Sequence, residues 1–445
     1  MTPVDVSVPA VVLGFHHGGL GIARSLGRLG VAVAGVDADP RAAGLRSRYL
    51  ARALTWSVAR EGGEASVARL LALAGELGGR PVLIPTTDDL ARFVAENAGA
   101  LGERFRFPRV DAATVRAFSD KRELYFLCRR LGVPTPDTAF PRSRRDVARF
   151  AARCAFPVMV KGIDGARLER RTGRKMAIAR TAAELLALYG ELEDPAGPNL
   201  MLQDYVPGGD DTVWMFNGYF DGRSECRAGF TGKKLRQHPV HTGATSLGIC
   251  LENAEVYRLT ADFMKRVGYR GVLDIGWRYD ARDGGYKLLD PNPRIGSTFR
   301  LFVDRDGMDV ARYLYLDMTG QPLPPARQRE GRKWLVEERD LESSLDYARE
   351  GALGLRQWAR SFRGVEESAW FARDDLRPFV VVMGRTAARG ARALGRRALR
   401  RLNAPLRLPR RAPLAAPSPP AAAPAARAEA HLHAAIPSGM AVGAD

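Results

Sequence analysis

The chain has 445 residues, of which 46% are hydrophobic and 27% charged, a composition that excludes wholesale disorder. At about 150 residues per domain, this length allows about three domains. No run approaches the roughly 18 apolar residues of a membrane span, and the first residues lack the basic lead of a secretory signal and include Asp5. The four cysteines have no CxxC spacing, and together with the six histidines they complete no zinc quartet. We therefore expect a cytoplasmic protein with reduced thiols.

Charge is distributed unevenly along the chain. Residues 385–445 contain eleven Arg and two acidic residues, which supplies +9 of the formal net charge of +18. Because the rest of the chain is only moderately basic, the net charge does not indicate a nucleic-acid-binding fold. Among the 68 basic residues the lysines are 121, 161, 175, 233, 234, 265, 287 and 333. In a chain that uses Arg by default, each Lys is a candidate for placing a compact charge on phosphate, and chance is the alternative explanation.

The first 90 residues predict a doubly wound α/β sheet. Residues 8–14 form an apolar strand, a glycine-rich turn and a helix follow, and a second strand ends at Asp37. Residues 81–89 repeat the pattern of a buried strand followed by a polar loop. Ligands of such sheets bind where strands give way to loops. The residues expected at this pocket mouth are His16, His17, Asp37, Thr86 and Asp88.

The glycines after the first strand leave two interpretations open. From Gly19 the pattern G-x-G-x-x-G meets Arg24 where the third glycine belongs, so the dinucleotide fingerprint is incomplete. An oxidoreductase that uses nicotinamide or flavin is one interpretation, and a tight strand-to-helix turn without a cofactor is the other. In the same way, His16 and His17 are either substrate contacts or exposed loop residues without a role.

Beyond residue 116 the sequence pattern changes. We predict a helix that ends at Gly132, a short strand that ends at Lys161, and a mobile loop at 162–175, where the sequence is polar and charged. After residue 325 we predict a mixed helical segment. From residue 385 an Arg-rich, helix-like sequence gives way to a Pro/Ala-rich stretch, which does not bury a core and is predicted to be disordered.

A hairpin carries the clearest chemical signal. Asp274 ends one apolar run and Asp290 closes the returning run, and a three-residue loop would place the two carboxylates opposite each other. At the ~4.5–5.5 Å that separates opposed Cβ atoms, two carboxylates repel unless a proton or a cation lies between them. Asn292 points to the same face and adds a neutral oxygen, so the three side chains predict a site for Mg²⁺ on substrate phosphates. The alternative is a solvated hairpin edge with scattered acids.

Five sequence segments point together to a known superfamily. They are Asp120-Lys121, FPVMVKG ending at Lys161, QDYVPGGDD at 203–211, KKLRQHPVHTGATS at 233–246, and LLDPNPR at 288–294 with Asp274 upstream. In order and spacing over roughly 116–325 they resemble the ATP-grasp enzymes, and among these the bacterial carboxylate-amine ligases of the D-aspartate ligase type. Two departures from that family are a phosphate lid at 162–175 that is poorer in glycine, and Gln or Asp where many members carry Glu.

The resemblance implies a role for each of these residues. ATP would bind to Lys121, Lys161, Lys175, Gln203, Asp204, Tyr205, Val206, Asp210 and Asp211. Mg²⁺, for which Mn²⁺ can substitute, would bind to Asp274, Asp290 and Asn292. The catalytic residues would be Arg294, Lys234 and Arg236, and the substrate contacts would be His16, His17 and Asp88.

The resemblance also implies a domain order and a reaction. The parts would be a Rossmann-like domain at 1–115, an α+β ATP-grasp domain at 116–325 with lobes at 116–202 and 203–325, a helical segment at 326–384 and a basic tail at 385–445. The activity would be the ATP- and Mg²⁺-dependent ligation of a small carboxylate to a small amine through an acyl phosphate, with no nucleic-acid partner. A nucleotide-binding scaffold without ligase activity and the oxidoreductase are the alternatives. ADP release that depends on the acid would separate the ligase from the scaffold.

The start of the basic tail has a pattern of its own. If 385–402 is helical, a thin apolar stripe lies beside a row of arginines. The stripe is Ala391, Leu394, Ala398 and Leu402, and the row is Arg396, Arg397, Arg400 and Arg401. The pattern fits contact with anionic lipid or an acidic partner, and it fits a solvated tail without a partner equally well.

Overall fold

A parallel sheet forms the first part of the chain in the computed structural model, which describes residues 3–58, 63–241 and 243–402. Its elements are β1 (Ala10–Leu13), α1 (His17–Gly27), β2 (Val33–Asp37), β3 (Leu50–Thr55), α2 (Gly63–Leu77), β4 (Val82–Pro85), α3 (Asp88–Glu96), α4 (Ala98–Leu101) and α5 (Ala112–Ser119). The strands pair in the order β3-β2-β1-β4, all parallel. The apolar residues of β1, in the middle of the sheet, and of β4, at its edge, are buried, which agrees with the alternation of strand and helix in the sequence.

Packing explains the glycines that follow β1. A Cβ on Gly19 would lie 2.1 Å from the carbonyl oxygen of Gly14, and a Cβ on Gly21 would lie 2.9 Å from the ring of Phe299. Side chains at these positions would overlap the backbone and a core aromatic ring. The close turn from β1 into α1 therefore accounts for the glycines without a dinucleotide.

A smaller antiparallel sheet follows. Its elements are α6 (Lys121–Arg130), β5 (Thr138–Ala139), α7 (Arg144–Ala151), β6 (Val158–Gly162), α8 (Gly165–Thr172), β7 (Met176–Ala179), α9 (Ala182–Leu192) and β8 (Leu200–Asp204), with strand order β5-β8-β6-β7. The prediction of a mobile loop at 162–175 is wrong, because α8 occupies most of it. Asp164 caps this helix by accepting a hydrogen bond from the Arg167 backbone N–H, and Leu168 is buried in the core.

The largest sheet is built from the rest of the chain. Its elements are β9 (Val213–Phe220), β10 (Cys226–His238), β11 (Ala244–Cys250), α10 (Ala254–Val267), β12 (Gly271–Asp280), β13 (Gly285–Asn292), α11 (Val310–Met318), β14 (Lys333–Leu335), α12 (Glu337–Arg349), α13 (Leu355–Ser361), β15 (Val365–Ser368) and α14 (Arg377–Leu402). Over the described residues the strand order is β13-β12-β9-β10-β11-β14-β15. The segment at 326–384 therefore adds two strands to this sheet, in addition to the helices predicted for it.

The end of the described chain is helical. The basic tail at 385–445 was predicted to be disordered, but α14 reaches Leu402, so its first part at 385–402 is a helix; the rest, including the Pro/Ala-rich stretch, lies outside the described residues. The chain divides into two units, Met1–Gly390 and Ala391–Asp445. Within the described ranges, none of the helices is long and apolar enough to cross a membrane.

One hydrophobic core joins the first sheet, the largest sheet and the C-terminal segment. Its large buried members come from all three parts and include Phe15, Tyr219, Phe299, Tyr313 and Trp334. Large aromatic side chains contribute most of the apolar area that such a core removes from water. The three parts are therefore stabilised together.

A buried ion pair adds a polar anchor between the C-terminal segment and the first sheet. Arg24 of α1 donates a hydrogen bond of 3.0 Å to Asp375, and the two side chains are 3% and 1% exposed. Asp375 also accepts hydrogen bonds from the Ser47 hydroxyl at 2.7 Å and from the Arg48 backbone N–H at 3.0 Å. The charges of the Arg24 guanidinium and the Asp375 carboxylate therefore neutralise each other in a place that water does not reach.

The Arg24–Asp375 anchor gives a stability prediction. Asp375→Ala leaves the Arg24 guanidinium buried without its partner, so we expect the free energy of unfolding to fall by about 3–5 kcal/mol. The matched control is Asp262→Ala, which removes an exposed ion pair of 3.1 Å with Arg258 and should cost less than about 1 kcal/mol. Urea unfolding followed by circular dichroism measures both. Equal losses in the two variants would contradict the burial of the first pair.

Candidate active site

The β12–β13 hairpin carries the two predicted metal-binding carboxylates in a register that differs from the predicted one. Its loop has four residues, 281–284, and a bulge follows Gly276. Asp274 therefore lies opposite Asn292, and Asp290 lies opposite Gly276. The prediction that the two carboxylates face each other directly is wrong, because the longer loop and the bulge shift the pairing by two residues. The two remain diagonal neighbours on one face of the hairpin.

Asp274 is the buried member of this pair. Its side chain is 19% exposed, whereas Asp290 is exposed. Burial raises the pKa of Asp274 to about 6, while the charge of Arg294 opposes the rise and that of Asp290 adds to it. A Cβ on Gly296 would lie 2.2 Å from an Asp274 carboxylate oxygen, so glycine at 296 leaves room for this carboxylate. A buried carboxylate beside a second carboxylate favours the binding of a cation.

Arg294 connects the hairpin to the first sheet. Its Nε donates a hydrogen bond of 2.9 Å to Asp88 at the start of α3, and its Nη1 lies 3.6 Å from Oδ2 of Asp274. Its Nη2 donates to Oδ1 of Asn292 at 3.2 Å, and Asn292 in turn donates to the backbone carbonyl of Asp274 at 3.2 Å. The structure thus brings together four of the predicted site residues from distant parts of the sequence.

Three of the predicted lysines gather beside Asp290. Burial lowers the pKa of Lys121, Lys161 and Lys234, and the nearby Asp290 carboxylate opposes the shift in each of them. For Lys161 the lowered pKa is about 8. Lys121 donates hydrogen bonds from Nζ to the carbonyls of Gly162 at 2.6 Å and Ile163 at 3.2 Å. The result is a concentration of partly desolvated positive charge next to the hairpin.

Lys161 is oriented by the adjoining strand. Its Nζ donates a hydrogen bond of 2.9 Å to Oε1 of Gln203, and Nε2 of Gln203 donates to Oγ1 of Thr138 at 3.1 Å. Since β6 pairs with β8 and β8 with β5, these three side chains come from adjacent strands of the smaller sheet. Two of the predicted ATP-binding residues, Lys161 and Gln203, are therefore in direct contact.

Lys234 and Arg236 are placed differently from each other. Lys234 donates from Nζ to the Gly243 carbonyl at 3.1 Å and lies near both carboxylates that are predicted to bind a metal, Asp274 and Asp290. Arg236 is buried and donates two hydrogen bonds of 2.7 Å to Asp340 of α12, with a third to Ser361. Because Asp340 neutralises this guanidinium, we assign Arg236 a structural role in place of the predicted catalytic one.

The connector between β8 and β9 is held in place where it leaves β8. Asp204 forms an ion pair of 2.7 Å with Arg282 in the hairpin loop, and the ring of Tyr205 lies 5.8 Å from the guanidinium of Arg278. Val206 is buried. These contacts hold the segment predicted to line the adenine against the β12–β13 hairpin.

The two aspartates predicted for the ribose differ in their surroundings. Asp210 accepts hydrogen bonds from Nε2 of Gln237 at 2.8 Å and from the hydroxyl of Tyr347 in α12. Asp211 is exposed. The Asp210 carboxylate is therefore already hydrogen-bonded to protein groups, whereas the exposed Asp211 carboxylate is accessible to a ligand.

Lys175 stands apart from the other predicted phosphate ligands. Its side chain is 72% exposed and lies 3.5 Å from Glu169 of α8. The structure does not bring Lys175 close to Lys121, Lys161 and Lys234, because helix α8 takes the place of the loop that was expected to carry it there.

His16 and His17 begin α1 at the end of β1. His16 accepts a hydrogen bond at Nδ1 from the Gly18 backbone N–H at 2.9 Å, so its Nε2 carries the proton that is donated to the Thr86 carbonyl at 3.1 Å. His17 is 5% exposed and His16 is half-buried, so the alternative that both are exposed loop residues is wrong. Burial lowers the pKa of each, so both are neutral at pH 7.

Arg278 is a site residue that the sequence analysis missed. It lies on β12 four residues after Asp274, on the same face of the strand, and its charge acts on both Lys161 and Lys234. Its Nε is buried and has no hydrogen-bond partner among the described residues. Every second side chain of a strand lies on the same face, which is the rule that placed Asp290 and Asn292 together. The same rule applied to Asp274 would have identified Arg278.

The donor set around the hairpin fits a hard cation. Among the residues that the structure describes, no cluster of three His, Cys, Asp or Glu side chains could hold a metal ion. A cation at this position would rest on the carboxylates of Asp274 and Asp290 with the amide oxygen of Asn292. All three ligands are oxygens, which suits Mg²⁺ better than a softer metal.

Comparison with curated proteins finds a relative that shares part of its length with this chain. No protein-family model matches. The chain is 26% identical over 245 residues to the D-aspartate ligase of Enterococcus faecium, a match that covers 53% of this chain and 58% of the ligase. The chain thus spans little more than half the length of that relative.

Solved structures share the fold over more of the chain. The N5-carboxyaminoimidazole synthetase of Staphylococcus aureus in complex with ADP has a TM-score of 0.58 at 11% identity, covering 79% of this chain and 88% of that chain. The biotin carboxylase domain of the 2-oxoglutarate carboxylase of Hydrogenobacter thermophilus, in complex with MgADP and bicarbonate, has a TM-score of 0.54 at 17% identity, covering 73% of each chain. At these identities the similarity concerns the fold.

The lowered pKa of Lys161 predicts a pH-dependent stability. The folded protein releases this proton near pH 8 and the unfolded chain near 10.5, so between these values the unfolded chain binds more protons and the free energy of unfolding rises with pH. Lys161→Met keeps the side-chain length but removes the titration. Urea unfolding at a series of pH values gives the free energy of unfolding of both proteins. We expect the parent value minus the Lys161→Met value to increase from about pH 7.5 to about pH 10. A difference that does not change with pH would contradict the burial of this ammonium.

Proposed function

The chain has the ATP-grasp fold and resembles the carboxylate-amine ligases of that superfamily, and from this premise we propose that it joins a small carboxylate to a small amine at the expense of ATP. The observation that carries the proposal is the gathering of three partly desolvated lysines and two carboxylates around one hairpin. Such a site suits a polyanion accompanied by a divalent cation.

We infer that ATP binds between the smaller sheet and the hairpin. Lys121, Lys161 and Lys234 bind the phosphates, because their buried positive charge is compensated by a ligand that carries several negative charges. The segment 203–206 lines the adenine, and Asp211 binds the ribose. The ADP and MgADP complexes of the two structural neighbours support a nucleotide at this fold position.

The hairpin ligands are assigned to Mg²⁺. Asp274, Asp290 and Asn292 hold the metal, which when bound offsets the negative charge of the phosphates. Asn292 also accepts a hydrogen bond from Arg294 and donates one to the Asp274 backbone, so its orientation is fixed before the metal binds.

The reaction proceeds in two transfers. A carboxylate oxygen of the acid attacks the γ-phosphorus of ATP, the bond to ADP breaks, and an acyl phosphate forms. The amine then attacks the acyl carbon, phosphate leaves, and the nitrogen releases a proton to solvent. Neither step needs a side-chain nucleophile.

Arg294 and Lys234 are the residues that act on the reacting groups. Arg294 is held by Asp88 and Asn292, so its guanidinium is already oriented when the acid arrives. Lys234 lies near both Asp274 and Asp290 and stabilises the charge that spreads over the transferring phosphoryl group.

Acid-dependent ADP release tests the proposal directly. A screen pairs amino acids and small carboxylates with amines at fixed Mg²⁺ and measures ADP by a coupled assay. We expect at least one acid to raise ADP release above the rate with ATP alone. A protein that binds ATP but releases no ADP with any pair would be a nucleotide-binding scaffold.

Asp290→Asn tests the metal assignment. The variant keeps the size of the side chain and removes one charge, so we expect Mg²⁺-dependent ADP release to fall by at least ~100-fold, because a lost charge contact to a transferring phosphoryl group costs several kcal/mol. Asp290→Asn relieves the repulsion with Asp274 but also removes a charge that offsets three lysines, so the melting temperature is measured alongside to separate a loss of activity from a loss of folding.

The matched control for Asp290→Asn lies in the same hairpin. Asp283 is 53% exposed in the turn and pairs with Lys287, and Asp283→Asn makes the same chemical change away from the proposed metal. It should retain parent activity. Full activity of folded Asp290→Asn would refute the metal site and most of the mechanism.

A further inference from the structure

A bulge in β10 brings together two side chains that a regular strand would keep apart. The pairing of β10 with β11 shifts register between Lys234 and Arg236, and again between Arg236 and Gln237. Residues three apart point to opposite faces of a regular strand, but here Nζ of Lys234 lies 3.4 Å from Oε1 of Gln237. Bulges next to active sites re-aim side chains in this way. The bulge therefore places Gln237 beside a lysine of the candidate site.

Gln237 links Lys234 to Asp210. It is 2% exposed, and its Nε2 donates a hydrogen bond of 2.8 Å to Oδ1 of Asp210. A lysine ammonium only donates hydrogen bonds, and a carboxylate only accepts them. The buried amide between the two groups is therefore held in one orientation, with its oxygen toward Lys234 and its nitrogen toward Asp210.

Tyr347 of α12 holds the other end of this link. Its hydroxyl donates a hydrogen bond to Oδ2 of Asp210 and accepts one of 3.3 Å from the Gln237 backbone N–H. Nδ1 of His241 lies 3.4 Å from Oδ1 of Asp210, and its ring packs edge-on against that of Tyr347, with centroids 5.4 Å apart. The Asp210 side chain is only 14% exposed as a result. Protein groups therefore take up the carboxylate that was predicted to bind the ribose.

The same link leaves one donor of Lys234 for a ligand. An ammonium group has three N–H donors. One points to the Gly243 carbonyl at 3.1 Å and a second to Gln237, and Nζ forms no other hydrogen bond with the residues that the structure describes. Because the nitrogen is tetrahedral, the third N–H has a fixed direction once the other two are held. The position of the Gln237 oxygen therefore decides where this donor points.

We propose that Asp210 is a positioning residue, which acts through Gln237 to direct the third N–H of Lys234 at a phosphate of the nucleotide. The inference rests on the proposed function and replaces the ribose role predicted for Asp210. Tyr347 holds the Asp210 carboxylate in place, so α12 of the C-terminal segment contributes to the geometry of the phosphate site.

Nucleotide binding by the full-length chain tests this role without turnover. The probes are a non-hydrolysable ATP analogue with Mg²⁺, and adenosine, which has the base and the ribose but no phosphate. Calorimetry measures both affinities. Asp210→Ala removes the acceptor that orients Gln237, so we expect the affinity for the ATP analogue to fall about tenfold, as for one lost hydrogen bond to a charged group. Adenosine should bind as it does to the parent, whereas a ribose ligand at 210 would weaken both probes equally.

Two further variants separate positioning from charge and from folding. Asp210→Asn removes the same charge but keeps an acceptor oxygen for Gln237, so it should bind the ATP analogue within about twofold of the parent. Tyr347→Phe keeps every charge and removes the hydroxyl that holds Asp210, so it should weaken the ATP analogue selectively. Its matched control is Tyr315→Phe, which removes a hydroxyl that donates to the Val8 carbonyl at 2.7 Å and should leave both affinities unchanged.

The outcomes separate this role from the proposed function. The role is overturned if Tyr347→Phe binds the ATP analogue as Tyr315→Phe does, if both probes weaken together, or if Asp210→Asn loses as much affinity as Asp210→Ala. If the selective loss is found but no acid supports ADP release, the positioning role stands and the ligase proposal fails. If acid-dependent ADP release is found and the variants bind as the parent does, the ligase proposal stands and this role fails.

Discussion

The partial burial of three lysines beside one hairpin is the constraint around which the rest of the site is arranged. Lys121, Lys161 and Lys234 are brought near one hairpin, and burial disfavours the charge of each. Backbone carbonyls, a glutamine oxygen and the Asp290 carboxylate compensate for only part of that cost. The folded chain therefore holds a concentration of positive charge that a polyanionic ligand completes, and little reorganisation is needed when it binds.

The β12–β13 hairpin also connects the three lysines to the first sheet. Gly296 leaves room for the Asp274 carboxylate, and Arg294 reaches from Asn292 to Asp88 at the start of α3. The residues just after β13 thus connect the predicted metal ligands with the loop edge of the first parallel sheet. In the proposed reaction, this network orients the Arg294 guanidinium before the substrates bind.

The sequence predicted the elements of this site better than their pairing. The strands, the hairpin and the lysines follow from local patterns, but the register of Asp274 depends on one extra loop residue and a bulge, which composition does not reveal. At 162–175 the charged residues suggested a loop, although Asp164 as a cap and Leu168 as a buried contact already fit a helix. The pairing of Arg236 with Asp340 spans 104 residues, and no local signal predicts it.

The C-terminal segment is part of the site and of the fold it depends on. Three buried or nearly buried ion pairs link it to earlier parts of the chain, and their members are Arg24 with Asp375, Arg236 with Asp340, and Arg300 with Glu367. Removing this segment would separate these guanidinium groups from Asp375, Asp340 and Glu367, and only Arg300 would keep a second carboxylate, that of Asp309. The segment also supplies Trp334 to the shared core and Tyr347 to Asp210. The same segment therefore stabilises the fold and contacts two of the predicted site residues, Asp210 and Arg236, so a substitution in it changes stability as well as the surroundings of these side chains.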